Sequence, residues 1–133
     1  MKENPKAIGE RSEAVIIAKL LMRGEVVLRP FGDNQRYDLV VDRNGVFVRI
    51  QCKTGRIKNG AVLFSCCSNA GGYNKRSYHG EIDFFAVFCP ENGNVYMVPV
   101  DEVPKTLAFL RFEKTESKGP KSTIRWADKY ILS

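Results

Sequence analysis

Asn44-Gly45 leaves this chain fewer folding choices than any other pair of its residues. Asn-Gly suits the two positive-φ positions of a tight hairpin turn. It lies between two runs of strand composition, Tyr37 to Asp42 and Val46 to Lys53. A two-residue turn fixes the register of the strands it joins, and register decides which side chains share a face. In the second strand Val46, Val48, Ile50 and Cys52 fall on one face, and Phe47, Arg49, Gln51 and Lys53 on the other. The first is a core face. The second is mostly polar and charged, so it borders solvent or a site.

The remaining elements are read outward from that hairpin. Ala14, Ile17, Ala18, Leu21 and Met22 recur at three and four residues, which predicts a helix from Gly9 to about Arg23, stopped by Gly24. Glu25 to Arg29 reads as a short strand ended by Pro30, and residues 31 to 36 as a polar loop. A second Asn-Gly, at 59 and 60, leads into the strand Ala61 to Cys66. Residues 68 to 80 read as a long, polar, glycine-rich loop. Ile82 to Cys89 is almost continuously apolar, as in a central strand covered on both faces. Asn92-Gly93 turns it back into Asn94 to Val100. Asp101 to Phe109 is expected to be a helix with acids in its first turn. Residues 113 to 121 read as a charged linker, and Ile124 to Leu132 as a closing helix or turn. The class expected is α/β or α+β, a sheet flanked by helices, in a single domain over 1–133.

Charge narrows the partner. The chain of 133 residues carries a formal net charge of +6, and residues 43 to 76 hold seven basic side chains and no acidic one. Such a stretch attracts polyanions, of which nucleic acid is the commonest in a cell. No apolar run approaches the roughly 20 residues of a membrane helix, and residues 1 to 6 lack the apolar stretch of a signal peptide. The cysteines, Cys52, Cys66, Cys67 and Cys89, have no CxxC spacing, and His79 is the only histidine. Zinc is therefore not expected. Buried reduced thiols and a cytoplasmic location are, with nucleoid association when bound to DNA.

Glu13 on the helix, Asp38 at a strand start, and Gln51 with Lys53 on one strand face are the residues of chemical interest. Carboxylate and carbonyl oxygens suit Mg²⁺, and a neighbouring lysine can offset phosphate charge or handle a water proton. The full pattern is Gly9-Glu10-Arg11-Ser12-Glu13, then Arg36-Tyr37-Asp38-Leu39-Val40-Val41, then Arg49-Ile50-Gln51-Cys52-Lys53-Thr54. It resembles the PD-(D/E)XK nuclease superfamily, which includes type II restriction enzymes and archaeal Holliday-junction resolvases. Within it the chain is most similar to the group I intron homing endonucleases, which also carry Gln where most relatives have Glu. Tyr78 to Ala86, Val95 to Pro99 and Ile124 to Ala127 extend the likeness over nearly the whole chain.

The resemblance implies a restriction-endonuclease-like core with a central mixed β-sheet. It also implies a metal-dependent endonuclease of double-stranded DNA, probing one long site as homing enzymes do. Glu13, Asp38, Gln51 and Lys53 take the catalytic positions, and the first three hold Mg²⁺ or Mn²⁺. Glu10 competes with Glu13, whose spacing to Gly24 and Asp38 fits the family pattern. Tyr37 stands where the family motif has proline, which is not a chemical group. Gln51 removes one negative charge, leaving the number of metals open. Cutting both strands calls for two sites, hence a homodimer or homotetramer. Arg49, Arg56, Lys58, Asn69, Tyr73, Lys75, Arg76 and Tyr78 suit DNA contacts. Arg49 fits a structural salt bridge equally well, and Asp83 stands either at the strand mouth near the site or against a buried arginine. Trp126 and Tyr130 read as packing anchors. Two rivals remain: a structure-selective nuclease such as a Holliday-junction resolvase, and a DNA-binding module with a decayed site.

Overall fold

A computed structural model of the chain describes residues 3–70, 74–114 and 123–133, with the backbone alone at 69, 70 and 74. The helix α1 (Pro5–Met22) begins four residues before the periodicity suggested. Its start is set by Asn4, whose side-chain oxygen accepts from the Lys6 amide at 2.8 Å, and by Pro5 in the first turn, where no amide partner is missed. Ser12, Ile16 and Leu20, four residues apart, form its buried line.

Ten strands follow among the described residues: β1 (Val26–Leu28), β2 (Leu39–Arg43), β3 (Val46–Thr54), β4 (Arg56–Lys58), β5 (Ala61–Ser65), β6 (Cys67–Ala70), β7 (Asn74–Ser77), β8 (Phe84–Cys89), β9 (Asn94–Pro99) and β10 (Leu107–Arg111). The main sheet runs β1-β2-β3-β8-β9, with β3 and β8 parallel and every other pair antiparallel. The β2–β3 hairpin turns at Asn44 (φ 54°) and Gly45 (φ 89°), and places Leu39 opposite Ile50 and Arg43 opposite Val46.

Each face of this sheet has its own core. Ile16 and Leu20 of α1 pack on Leu39, Val41, Ile50, Ala86 and Val95. Full burial of side chains this size stabilises by about 1.5–3 kcal/mol each. The other face carries Phe85, Val87, Tyr96 and Val98. It is covered by the three-stranded sheet β10-β5-β4 through Val62, Phe64, Ala108 and Leu110. The α+β class is as expected, but of the flanking helices only one α-helix is present among the described residues, and a small sheet forms the second layer. The mixed central sheet and the doubly covered β8 are as expected.

Two further expectations give way. Residues 68 to 80 are not a simple loop, because β6 and β7 pair antiparallel from Cys67↔Ser77 to Ala70↔Asn74. Asp101 to Phe109 is not a helix either. A single 3-10 turn, Val100–Glu102, precedes β10, since Pro104 disfavours helical backbone at Val103 and Leu107, Ala108, Phe109 and Leu110 alternate outward and inward. The expected linker at 113–121 lies largely outside the described residues. At the chain's end a 3-10 turn, Ala127–Lys129, separates a half-exposed Trp126 from a buried Tyr130, so only the tyrosine anchors. No described helix is long and apolar enough to cross a membrane.

Candidate active site

The site begins where β2 begins. Asp38 enters the sheet with its amide donating to the Ile50 carbonyl (2.8 Å), and its carboxylate Oδ2 accepts from the Cys52 amide (3.0 Å). The side chain thus takes the ladder position that a backbone carbonyl would otherwise fill. Glu13 lies one position round α1 from the buried Ser12. Ser12 Oγ is itself 2.6 Å from Thr54 Oγ1, which fastens the helix to the end of β3. That contact sets the rotation of α1 and brings Glu13 out at its flank, 23% exposed, toward Asp38.

Glu13 and Asp38 share a polar pocket of about 180 Å³ with Arg29, Asp33, Gln35 and Tyr37. Burial, then the neighbouring Asp38 charge, pushes the Glu13 carboxyl above its ordinary range, partly offset by Arg29. Burial also raises Asp38, against the pull of the Cys52 amide, Lys53 and Arg29. Two carboxylates drawn up in one half-buried pocket form a site that favours a cation. Arg29 now answers that demand, its Nη2 3.1 Å from Glu13 Oε1. Hard oxygen donors of this kind fit a divalent cation. Among the described residues no group of three His, Cys, Asp or Glu side chains is already arranged around one point, although Asp33 lines the same pocket.

Lys53 lies on the polar face of β3. Its Nζ donates to the Cys67 carbonyl (3.3 Å) and stands 4.9 Å from the centre of the Tyr78 ring. Burial lowers its pKa from the ordinary lysine value. Gln51 is half-buried two positions earlier on the same face. It does not line the pocket. Glu10 borders a shallower groove with Glu13, Ala14, Ile17 and Arg29, away from Asp38. The structure therefore brings Glu13 and Asp38 together, sets Lys53 within electrostatic reach of Asp38, and leaves Glu10 outside.

The residues expected at DNA divide. Arg56, Lys58, Lys75 and Arg76 are exposed, Arg76 also pairing with Glu81 at 3.0 Å. Arg49 is engaged by Asp83 through both side-chain oxygens (3.2 Å each), and this arginine is part-exposed rather than the buried partner expected for Asp83. Tyr78 is a correction: only 5% exposed, it packs edge-on against Phe85 beneath the Arg36 guanidinium, so it is not a free surface aromatic. Asn69 lies on β6, and Tyr73 falls outside the described residues. The four cysteines are unpaired, and burial pushes the Cys66 thiol up to about 12, so it stays protonated.

Sequence reasoning missed Arg29, Asp33 and Gln35 in the pocket. The available signal was position, a polar loop running directly into Asp38. It also missed Arg36, which binds Ser68 Oγ (2.7 Å) and the Ser77 carbonyl (2.8 Å) and so ties this loop to the base of the β6–β7 hairpin.

A sequence model of the PD-(D/E)XK endonuclease family matches residues 3–133. A search of curated proteins finds no match. Among solved structures the chain is similar to a bacterial homing endonuclease, I-Ssp6803I. The TM-score is 0.71 and the identity 24%, over 98% of this chain and 88% of that one. That likeness is one of fold, and it makes the α+β architecture restriction-endonuclease-like.

Proposed function

The chain belongs to the PD-(D/E)XK endonucleases, and from that premise we propose that it is a divalent-metal-dependent, site-specific endonuclease of double-stranded DNA. The observation that carries this reading is the shared pocket of Glu13 and Asp38, with Lys53 near Asp38. Glu13 and Asp38 would hold Mg²⁺ or Mn²⁺, with Gln51, which lies outside their pocket, as the third donor that the family pattern implies. The chemistry supplied by such a cation is polarisation of a phosphate oxygen and activation of a water.

The chain's own groups supply the rest. Lys53 has one ammonium proton engaged by Cys67 and two left for a phosphate oxygen. Its lowered pKa equips it to pass a proton as well as to offset charge. Asp38 is held by the Cys52 amide, so its free oxygen is already oriented for a ligand. The β6–β7 hairpin is a two-stranded ribbon, which is the form of sheet that fits the DNA major groove, and it presents Lys75 and Arg76. If Lys75 meets a phosphate, Lys75→Gln should weaken duplex binding and lower the salt-dependence slope by about one. Cleavage of both strands would need a symmetric dimer or tetramer. A cytoplasmic location fits a DNA substrate.

The test is cleavage of a duplex library and of a four-way junction, with Mg²⁺, Mn²⁺ or EDTA, by the wild type, Lys53→Ala and Asp38→Asn. Metal-dependent duplex cutting at defined sites, lost in both variants, is expected. Equal cutting by all three would overturn the site, and preference for the junction would favour a resolvase. A second reading has one specific observation in its favour, the neutral Gln51 at the third ligand position, outside the carboxylate pocket. It is a DNA-binding module without catalysis, and salt-sensitive binding without cleavage in either metal would establish it.

A further inference from the structure

Arg29 stands at the end of β1, just before Pro30, and is the cation that meets Glu13. The two partners differ sharply in freedom, since the arginine side chain is 66% exposed and the glutamate 23%. Arg29 borders both the pocket shared with Asp38 and the groove on the other flank of Glu13. A divalent cation taking Glu13 would compete with the guanidinium for the same oxygens, and an exposed arginine held by one carboxylate is readily displaced. Pro30 disfavours helical backbone at Arg29, which favours movement of the side chain over movement of the main chain. The side chain alone would turn. Substrate must bring a phosphate to the cation, and a guanidinium binds phosphate through two parallel hydrogen bonds.

We propose that Arg29 is an exchangeable counterion: it neutralises Glu13 in the cation-free protein, and when a divalent cation takes that carboxylate it turns to the DNA phosphate beside the bond to be cut. This rests on the nuclease reading above. Arg29 is then a substrate-positioning residue whose availability depends on the state of the metal site. Removing it should have opposite effects on the two ligands.

The test uses Arg29→Gln, Glu13→Gln and the double variant. Mn²⁺ binding to DNA-free protein is followed through the signal of free Mn²⁺. Duplex affinity is followed by fluorescence anisotropy in EDTA. Arg29→Gln is expected to bind Mn²⁺ about two- to fivefold more tightly, the fold-change for loss of a weak competing ion pair. In EDTA, Glu13→Gln frees Arg29 and is expected to tighten duplex binding, and this gain should vanish in the double variant. A gain that persists in the double variant, or Mn²⁺ affinity unchanged or weakened in Arg29→Gln, overturns the proposal. Arg29→Lys, which keeps a cation at the site, should stay near the wild type in both assays and excludes a folding artefact. A wild type that neither binds Mn²⁺ nor cuts DNA overturns this proposal together with the nuclease reading. A wild type that does both, with Arg29→Gln unaltered, overturns the exchange alone.

Discussion

Asp38 has two duties that substitution can separate. Its carboxylate completes the β2–β3 ladder at Cys52, and its second oxygen faces the pocket. Asp38→Asn keeps an acceptor for the Cys52 amide, whereas Asp38→Ala leaves that amide without one. Urea unfolding should show a loss of about 1–3 kcal/mol for alanine and much less for asparagine. Both should be inactive in cleavage, so asparagine is the cleaner probe of chemistry. Asp83 titrates the other way from the site carboxyls, because the Arg49 hydrogen bonds hold it below the usual carboxylate range. Its contribution to stability is present above the unfolded-state value of about 3.9 and is lost as pH falls through its lower folded-state value. Stability measured from pH 5 downward should fall less steeply in Asp83→Asn than in the wild type. Glu13, Asp38 and Lys53 were legible as candidates because motif spacing survives in sequence. Arg29 was not, since an arginine after a short strand looks like any surface residue until α1 brings Glu13 against it. Tyr78 misled for the converse reason: it sits in a basic, polar stretch, but the ring that buries it, Phe85, comes from another strand.

Among the elements, turns were the most legible. Of the three Asn-Gly pairs between strands, two adopt positive φ at both residues, Asn44-Gly45 and Asn59 (51°) with Gly60 (76°), and at Asn92-Gly93 the glycine alone does (75°). The hairpin within residues 68–80 was hidden because its strands are polar in sequence and show no apolar alternation to betray a period of two. Gly55 shows a constraint that sequence does not display. It is buried between β3 and β4, and a Cβ there would lie 2.7 Å from Val62 Cγ1 and 3.0 Å from Val87 Cγ1. Both are branched side chains at the junction of the two sheets, with little room to yield. Gly55→Ala should therefore destabilise by about 1–3 kcal/mol in urea unfolding, against the gain that alanine usually brings to a chain.

At the scale of the molecule, the sequence disclosed an α+β chain with a mixed sheet but not its second layer. Strands β4, β5 and β10 cover the main sheet only because residues near 62 and 110 meet, a pairing that no local pattern encodes. The charge pattern acquires a location as well: the acid-free stretch runs from the end of β2 through β3, β4 and β5 to the β6–β7 hairpin. The parallel seam of β3 and β8 brings Ile50 to Phe84 and Thr54 to Phe88, where the β2–β3 hairpin needs only its own turn. Closing the longer loop costs more entropy before any contact compensates for it. The hairpin bearing Asp38 and Lys53 should thus be structured in the folding transition state, and the seam should close after it. Gly45→Ala, at a φ of 89°, should mainly slow refolding, and Val87→Ala mainly speed unfolding. Chevron kinetics with the reverse pattern would refute that order. The half of the site carried by the hairpin is then older, in the life of each molecule, than the sheet that supports it.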